Sequence, residues 1–449
     1  MTKSFDLVIL GTGAGGSLVA RRCRSAGWSV AIADELAFGG TCQLRGCDPK
    51  KVLVGVAEVL DAIRRLSGHG VDRGGAGIAW ADLARFKRSF TDGVSERKEA
   101  SFIKDGIQPL HGRARFVGPT SIEVGGDRID ARHVLVATGA RPMDLPIDGR
   151  EHLVHSDHFL DLAELPRRIA FLGGGFISLE LGHVASAAGA EVAIVEQMDR
   201  PLAGFDPDLV DILAERTRAM GIDLRLGTEV EAIERGAGGL RVRARRGGES
   251  IALDVDLVVH GAGRVPAVDG LGLEAAGVDF DEKRGVTVNR RMQSVSNPAV
   301  YAVGDAAAGG LPLTPVASFE ARVAADNLLG NAREIDYPAQ PSVVFTMPPL
   351  AAVGLSEAEA RERGVDVEVR CERTGTWYSS RRLGEEHSGY KVLVEKSSGR
   401  VVGAHVLCHG AEELINQFAI AIRAGLTAAD LKGMIFAYPS LGSDLQYMV

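Results

Sequence analysis

Two glycine turns, each set between a buried strand and a helix, constrain this chain more than any other feature. The first is Gly11-Thr12-Gly13-Ala14-Gly15-Gly16, after the apolar run Leu7 to Leu10 and before a helical run from Ser17 to Ala26. A strand from Val30 to Ala33 then ends at Asp34. Strand, glycine turn, helix, strand, acid is the order a dinucleotide-binding unit requires. The glycines let backbone approach a pyrophosphate, the helix N-terminus meets its charge, and the acid accepts from ribose hydroxyls. A tight structural turn is the plainer reading of the glycines. The pattern returns at Leu172-Gly173-Gly174-Gly175-Phe176-Ile177-Ser178, with a strand from Val192 to Val195 ending at Glu196. Ser178 replaces the third glycine and is still small enough for helix–strand packing. Two such units predict two dinucleotides. A carboxylate at Glu196 accepts from a free 2′-hydroxyl and repels a 2′-phosphate. Gln197 and Met198 carry no positive charge, although Arg200 is close, so NADH is favoured over NADPH. A solvated strand end is the alternative for Glu196.

Between the units lies Gly39-Gly40-Thr41-Cys42-Gln43-Leu44-Arg45-Gly46-Cys47-Asp48-Pro49-Lys50-Lys51. Apolar residues at helical spacing follow from Val52 to Ile63, which puts the cysteines at or inside the start of a helix. That terminus, with Arg45, Lys50 and Lys51, would favour a thiolate. Two thiols this close can form a disulfide and carry two electrons. Half of a metal site, or two buried apolar thiols, is the competing reading. No histidine or third cysteine is near enough in sequence to complete a metal set.

At 449 residues roughly three domains are expected. Net charge is −8 and no long basic run occurs, which argues against nucleic acid or an anionic membrane as partner. The other three of the five cysteines (Cys23, Cys371, Cys408) are scattered, unlike a secreted disulfide framework. The N-terminus runs directly into a strand without a signal peptide, and no apolar run is long enough to span a membrane. A soluble cytoplasmic protein is expected. Val134 to Ala140 and Leu257 to Pro266 repeat one strand-to-glycine pattern, and Ala299 to Asp305 is a strand ending in an acid. Pro142 and Pro146 mark a boundary near residue 148. From Ser342, strands alternate with amphipathic helices (Glu357 to Arg363, Ala411 to Ala424), which reads as a separate α+β domain.

The cysteine stretch, both fingerprints and the Gly304-Asp305 strand together resemble the flavoprotein disulfide reductases, a family that includes glutathione reductase, dihydrolipoamide dehydrogenase and mercuric reductase. The resemblance spans nearly the whole chain. It implies an α/β fold with two Rossmann-like dinucleotide-binding domains, for FAD and NAD(P), and a C-terminal α+β dimerisation domain. The segments would be 1–148 (FAD, first part), 149–266 (NAD(P)), 267–336 (FAD-contacting central segment) and 337–449 (dimerisation).

Residue by residue, the resemblance implies FAD contacts at Gly11, Gly13, Ala14, Gly15, Gly16, Asp34, Gly40, Thr41, Ala114, Thr138, Gly139, Asp305 and Thr314. It implies NADH contacts at Gly173, Gly175, Phe176, Ile177, Glu196 and Gly263. Cys47 matches the cysteine that lies against the flavin, and Cys42 the one that exchanges with substrate. Lys50 matches the lysine near flavin N5, with Glu180 its partner carboxylate. Phe176 replaces a tyrosine that covers the flavin in many relatives. Electrons would run from NADH through FAD and the Cys42–Cys47 disulfide to a small disulfide, in a homodimer.

Several positions depart from the family pattern. In the segment Phe436 to Asp444, Tyr438 stands at the position of the partner-supplied histidine and Ser443 at that of its orienting glutamate, with Asp444 one residue out of register. A tyrosine of ordinary pKa about 10 donates a proton but shuttles poorly at neutral pH; simple packing is the alternative. The expected substrate is therefore a disulfide whose released thiol needs little general-acid help. Arg21 and Arg322 fall where glutathione reductases hold substrate-facing arginines, and guanidinium forks suit carboxylates; plain surface or interface charge is the other reading. Reduction of a metal ion such as Hg(II), or of a protein disulfide, is the alternative function. No resident metal is expected, and the chain ends at Tyr447-Met448-Val449 without the vicinal cysteines of mercuric reductases.

Overall fold

The computed structural model describes residues 3–236, 238–337 and 339–449. Chain contacts divide it into two compact units, each assembled from three separate segments.

The first unit comprises Met1–Pro49, Lys87–Met143 and Arg264–Tyr337. Its centre is a seven-stranded sheet. Lys3–Leu10 lies between Val30–Asp34 and Asp127–Val136, parallel to both, and Gln108–His111 extends the edge. The long strand Asp127–Val136 carries two partners along its other side. Ser121–Val124 pairs antiparallel with its start, and Val300–Ala302 parallel with its end. The central strands are apolar on both faces, as buried parallel strands must be, and Leu7, Val8, Ile9, Ile32, Val134 and Leu135 are fully enclosed. Helices Ala14–Ser25 and Thr314–Leu328 close the same core with Val19, Ala20, Val323 and Ala324.

The second unit comprises Lys50–Phe86, Asp144–Gly263 and Pro338–Val449. A four-stranded parallel sheet runs in the order Asp223–Arg225, Glu191–Val195, Arg168–Leu172, Leu257–His260. An antiparallel three-stranded sheet, Thr228–Gly236, Gly239–Arg246 and Glu249–Val255, carries four arginines on the middle strand; Arg241, Arg243 and Arg245 are ion-paired to Asp254, Glu234 and Glu231. The C-terminal part is a five-stranded antiparallel sheet covered by helix Ala411–Ala424, which buries Leu414, Ile415 and Phe418. Among the described residues no helix is long and apolar enough to cross a membrane.

Candidate active site

In the first unit the strand Lys3–Leu10 delivers the first glycine turn. Gly11 has φ +109°, and a Cβ there would lie 2.2 Å from the carbonyl oxygen of Ala137, so only glycine fits. Gly40 has φ +75°, and its missing Cβ would stand 2.5 Å from Gly13 Cα; the cysteine segment thus packs backbone to backbone on the turn. Gly13 precedes helix Ala14–Ser25 and provides no side-chain cap, which leaves backbone N–H groups for an anion. Asp34 fixes the turn. Its Oδ2 accepts from Thr12 N (2.9 Å) and Thr12 Oγ1 (2.6 Å), and its Oδ1 from Leu36 N (3.0 Å). Thr12 Oγ1 accepts in turn from Gly39 N (3.0 Å). Thr138 Oγ1, one residue past Ala137, is buried without a hydrogen-bond partner among the described residues. A close-approach glycine cradle, an open helix N-terminus and an unsatisfied buried hydroxyl fit a dinucleotide such as FAD.

Asp305 sits in the turn Gly304–Ala306 of the same unit. Burial pushes its carboxyl above the usual range, and the nearby Arg264 partly offsets this. Glu320, which sequence reasoning passes over, holds that turn from helix Thr314–Leu328. It is only 1% exposed. Its Oε2 accepts from Gly304 N (2.6 Å), and its Oε1 from Gly310 N (3.1 Å) and Tyr337 Oη (2.6 Å). Ala114 is buried in the strand Ala114–Phe116, and Gly139 accepts from Ala267 N at 2.8 Å.

The cysteines occupy two helices rather than one. Cys42 lies in the six-residue helix Gly40–Arg45; Gly46 (φ −142°, ψ −115°) breaks it; Cys47 opens the helix Cys47–Arg65. Both are thiols in this structure, hydrogen-bonded to each other, with Cys42 half-buried and Cys47 exposed. Cys47 Sγ is 3.6 Å from Thr314 Oγ1, and Cys42 Sγ is 3.8 Å from Asp48 Oδ1. The expected tilt towards thiolate is reversed at Cys42. Its pKa is raised, first by the hydrogen bond to Cys47, then by burial, with Thr314 pulling the other way and Asp48 adding to the rise. The lysines expected to favour a thiolate are engaged elsewhere, Lys50 with Glu180 and Lys51 with Glu58.

In the second unit Glu196 does for its glycine turn what Asp34 does in the first. It accepts from Gly174 N and, at 2.7 Å, from Met198 N. Gly173 follows the strand Arg168–Leu172, and Gly175 precedes helix Phe176–Ala187 without a side-chain cap. Ser178 Oγ is buried with no hydrogen-bond partner among the described residues. This cradle also fits a dinucleotide. Phe176 opens the helix and is 50% exposed, with Ile177 next to it. Gly263 immediately precedes the strand Arg264–Pro266. Glu180, 2% exposed, accepts from Lys50 Nζ (2.8 Å) and Phe345 N (2.7 Å). Lys50 Nζ also stands 4.5 Å from the centre of the Phe345 ring.

Tyr438 is 78% exposed. Ser443 serves a capping box at the start of helix Leu441–Met448, its hydroxyl donating to Ser440 O (2.5 Å). Asp444 accepts from Ser379 Oγ, and burial raises its carboxyl. Arg21 is committed to Asp105 (3.0 Å) and Ser101 (2.9 Å), whereas Arg322 is exposed on helix Thr314–Leu328. Thr41 is exposed in helix Gly40–Arg45. Among the described residues no group of three His, Cys, Asp or Glu side chains is placed to hold a metal ion.

Two dinucleotide cradles and a dithiol define a nucleotide-driven thiol oxidoreductase. Known proteins agree. Residues 5–321 match the pyridine nucleotide-disulphide oxidoreductase model, and residues 340–449 match the dimerisation domain of the same group. A glutathione reductase from Burkholderia cepacia is 36% identical over 98% of this chain and 97% of its own length. A dihydrolipoyl dehydrogenase from Thermus scotoductus is 35% identical, over 99% and 96%. The HOCl-induced flavoprotein disulfide reductase RclA from Escherichia coli, solved as a Cu(II) complex, superposes with a TM-score of 0.87 at 28% identity, covering 100% of this chain and 99% of its own. The chain belongs to the pyridine nucleotide-disulphide oxidoreductases. It is an FAD-containing disulfide oxidoreductase driven by NAD(P)H.

Proposed function

We propose that this enzyme uses NADH to reduce a small disulfide whose released thiol needs little help from a general acid. One contrast carries the reading: a mutually hydrogen-bonded dithiol beside Thr314, against a Tyr438 segment whose Ser443 serves only as a helix cap. On this reading 1–148 and 267–336 hold FAD, 149–266 holds NADH, and 337–449 joins two chains into a homodimer. The few scattered cysteines suit a reducing cytoplasm.

FAD, when bound, relays two electrons from the nicotinamide to sulfur. Gly11, Gly13 and Asp34 would hold its ADP half, with Asp305, positioned through Glu320, near the ribityl chain. Lys50, fixed by Glu180, would place a positive charge beside the ring. Cys42 thiolate attacks a substrate sulfur, forming a mixed disulfide and expelling one thiolate. Cys47 thiolate then attacks Cys42, restoring the Cys42–Cys47 disulfide and expelling the second. The balance is NADH + H⁺ + RSSR → NAD⁺ + 2 RSH. An alkyl thiol of pKa about 8.5 leaves better with an acid beside it, and a phenol is a weak one at neutral pH. Thione-forming and acidic aromatic thiols need no such help. Glu196 underlies the preference for NADH.

Stopped-flow mixing with NADH and with NADPH, followed by 4,4′-dithiodipyridine, cystamine or glutathione disulfide, tests this. Faster flavin bleaching by NADH and fastest reoxidation by the thione-releasing disulfide are expected. Equal, negligible reoxidation by all three disulfides would remove the reading. Reduction of a metal ion as substrate is a second reading, favoured by RclA having been solved as a Cu(II) complex. It predicts metal-dependent NADH oxidation that vanishes in Cys42→Ala, and a full rate in that variant would exclude it.

A further inference from the structure

Arg45 and Asp48 are charges of the cysteine segment with no part in the proposed reaction, and Asp48 is the one that meets a cysteine sulfur. Asp48 follows Cys47 directly, is exposed, and directs Oδ1 to within 3.8 Å of Cys42 Sγ. An acid in the first turn of a long helix is ordinary, because it complements the helix dipole. That role does not require the carboxylate to face the neighbouring helix, where Cys42 lies. Of the two arginines that the family resemblance turns towards an acidic substrate, Arg21 is bound to Asp105 and Ser101, and Arg322 is exposed.

We propose that Asp48 selects substrates by charge, favouring disulfides with cationic or neutral groups near the sulfur and disfavouring those that carry carboxylates. The inference rests on Cys42 being the attacking sulfur. Attack brings the substrate sulfur to about 3–3.5 Å from Cys42 Sγ. A charge two or three bonds beyond it lies at most about 11 Å from the Asp48 carboxylate, and roughly 5–8 Å from it when the substrate approaches on the carboxylate's side. At that separation in a half-exposed site, one unit charge changes the rate about three- to ten-fold. Asp48 also helps raise the Cys42 pKa, which is the same negative field acting on the thiolate.

The test uses reduced holoenzyme in a Cys47→Ser, Cys371→Ser background, because Cys47 and Cys371 are also exposed and Cys47 would otherwise resolve the mixed disulfide on Cys42. Two methanethiosulfonates are compared, one bearing a trimethylammonium group and one a sulfonate. Cys42 thiolate attacks the reagent's sulfenyl sulfur, a mixed disulfide forms and methanesulfinate leaves, so turnover is not needed for the readout. Both reagents meet the same thiolate fraction; their rate ratio, normalised to a free thiol, therefore reports charge and not Cys42 ionisation. The expected ratio favours the cation about five-fold or more at low salt. It should fall towards one in Asp48→Asn and in 0.5 M salt (roughly a 4 Å Debye length) and persist in Asp48→Glu. An unchanged ratio in Asp48→Asn overturns the proposal, since a merely structural aspartate would not move it. In steady state, with Cys47 intact, kcat/KM for cystamine over 3,3′-dithiodipropionate should shift in the same direction. If both disulfides are inert while the reagent ratio responds to Asp48, charge selection stands and the small-disulfide reading fails.

Discussion

Lys50 and Glu180 form an ion pair whose loss has a calculable cost. Glu180→Gln keeps an acceptor for Phe345 N but leaves the Lys50 charge facing an amide in a site where the lysine side chain is only 15% exposed. Removing one partner of a fully buried pair costs about 3–5 kcal/mol. Partial exposure and the Phe345 ring lower this, so a loss of about 2 kcal/mol is expected in urea unfolding. Slower flavin reduction by NADH should accompany it, and unchanged stability would show that the pair carries no net energy. Tyr438→Phe belongs to the same scale. With 4,4′-dithiodipyridine its kcat should stay within about two-fold of wild type, because a thione leaves without a proton donor. A drop of about a hundred-fold would make the phenol an essential acid. Cys42 and Cys47 stand out in the sequence through their spacing, and Lys50 and Glu180 only through the family resemblance. Asp48 does not, because its meaning depends on Gly46 turning one helix into another so that the carboxylate faces Cys42.

Elements were legible where hydrophobic period and glycine punctuation coincide. Both strand–turn–helix–strand units lie within a few residues of the expected bounds, and the helix Ala411–Ala424 starts and stops where its apolar face predicts. The spacing puts the cysteines at or inside the start of a helix; Cys47 does open one, whereas Cys42 lies in a separate short helix, because local spacing carries no sign of the Gly46 dihedrals. Glu320 was illegible for another reason. A lone glutamate in a helix usually points to solvent, and only the return of Gly304 to Gly310 over this helix makes it an internal clamp. Glu320→Ala would leave two backbone N–H groups and the Tyr337 hydroxyl without their acceptor. At about 1–3 kcal/mol for each buried unsatisfied group, a loss of about 3 kcal/mol or more is expected in chemical denaturation. FAD should also bind more weakly, as measured by flavin fluorescence on dilution, because Asp305 sits in the released turn. Glu320→Gln keeps an acceptor for Gly304 N and should lose less than half as much.

Each unit joins segments far apart in the chain, and sequence pattern alone does not say which segments will share a core. The second unit contains a group whose titration couples the stability of that assembly to pH. His183 is fully buried in helix Phe176–Ala187. Its Nδ1 accepts from Met347 N (3.2 Å), so Nε2 carries the hydrogen donated to Thr217 Oγ1 (3.0 Å), whose own hydroxyl donates to Leu213 O (2.8 Å). Every position around the ring is thus satisfied by the neutral tautomer. Burial holds its pKa down at about 3, against 6.5 for a free side chain. Below pH 6.5 the unfolded chain takes up a proton that the folded chain refuses, so stability is lost as pH falls from there towards 3. From pH 7 to pH 5 this one residue removes about 2 kcal/mol. Burial lowers the pKa of His405 as well, which adds to the slope. In His183→Gln the protein should be less stable at pH 7 but should lose about 2 kcal/mol less than wild type between pH 7 and pH 5. Urea unfolding at the two pH values checks this; equal losses in both proteins would mean that His183 does not set the acid limit of the fold.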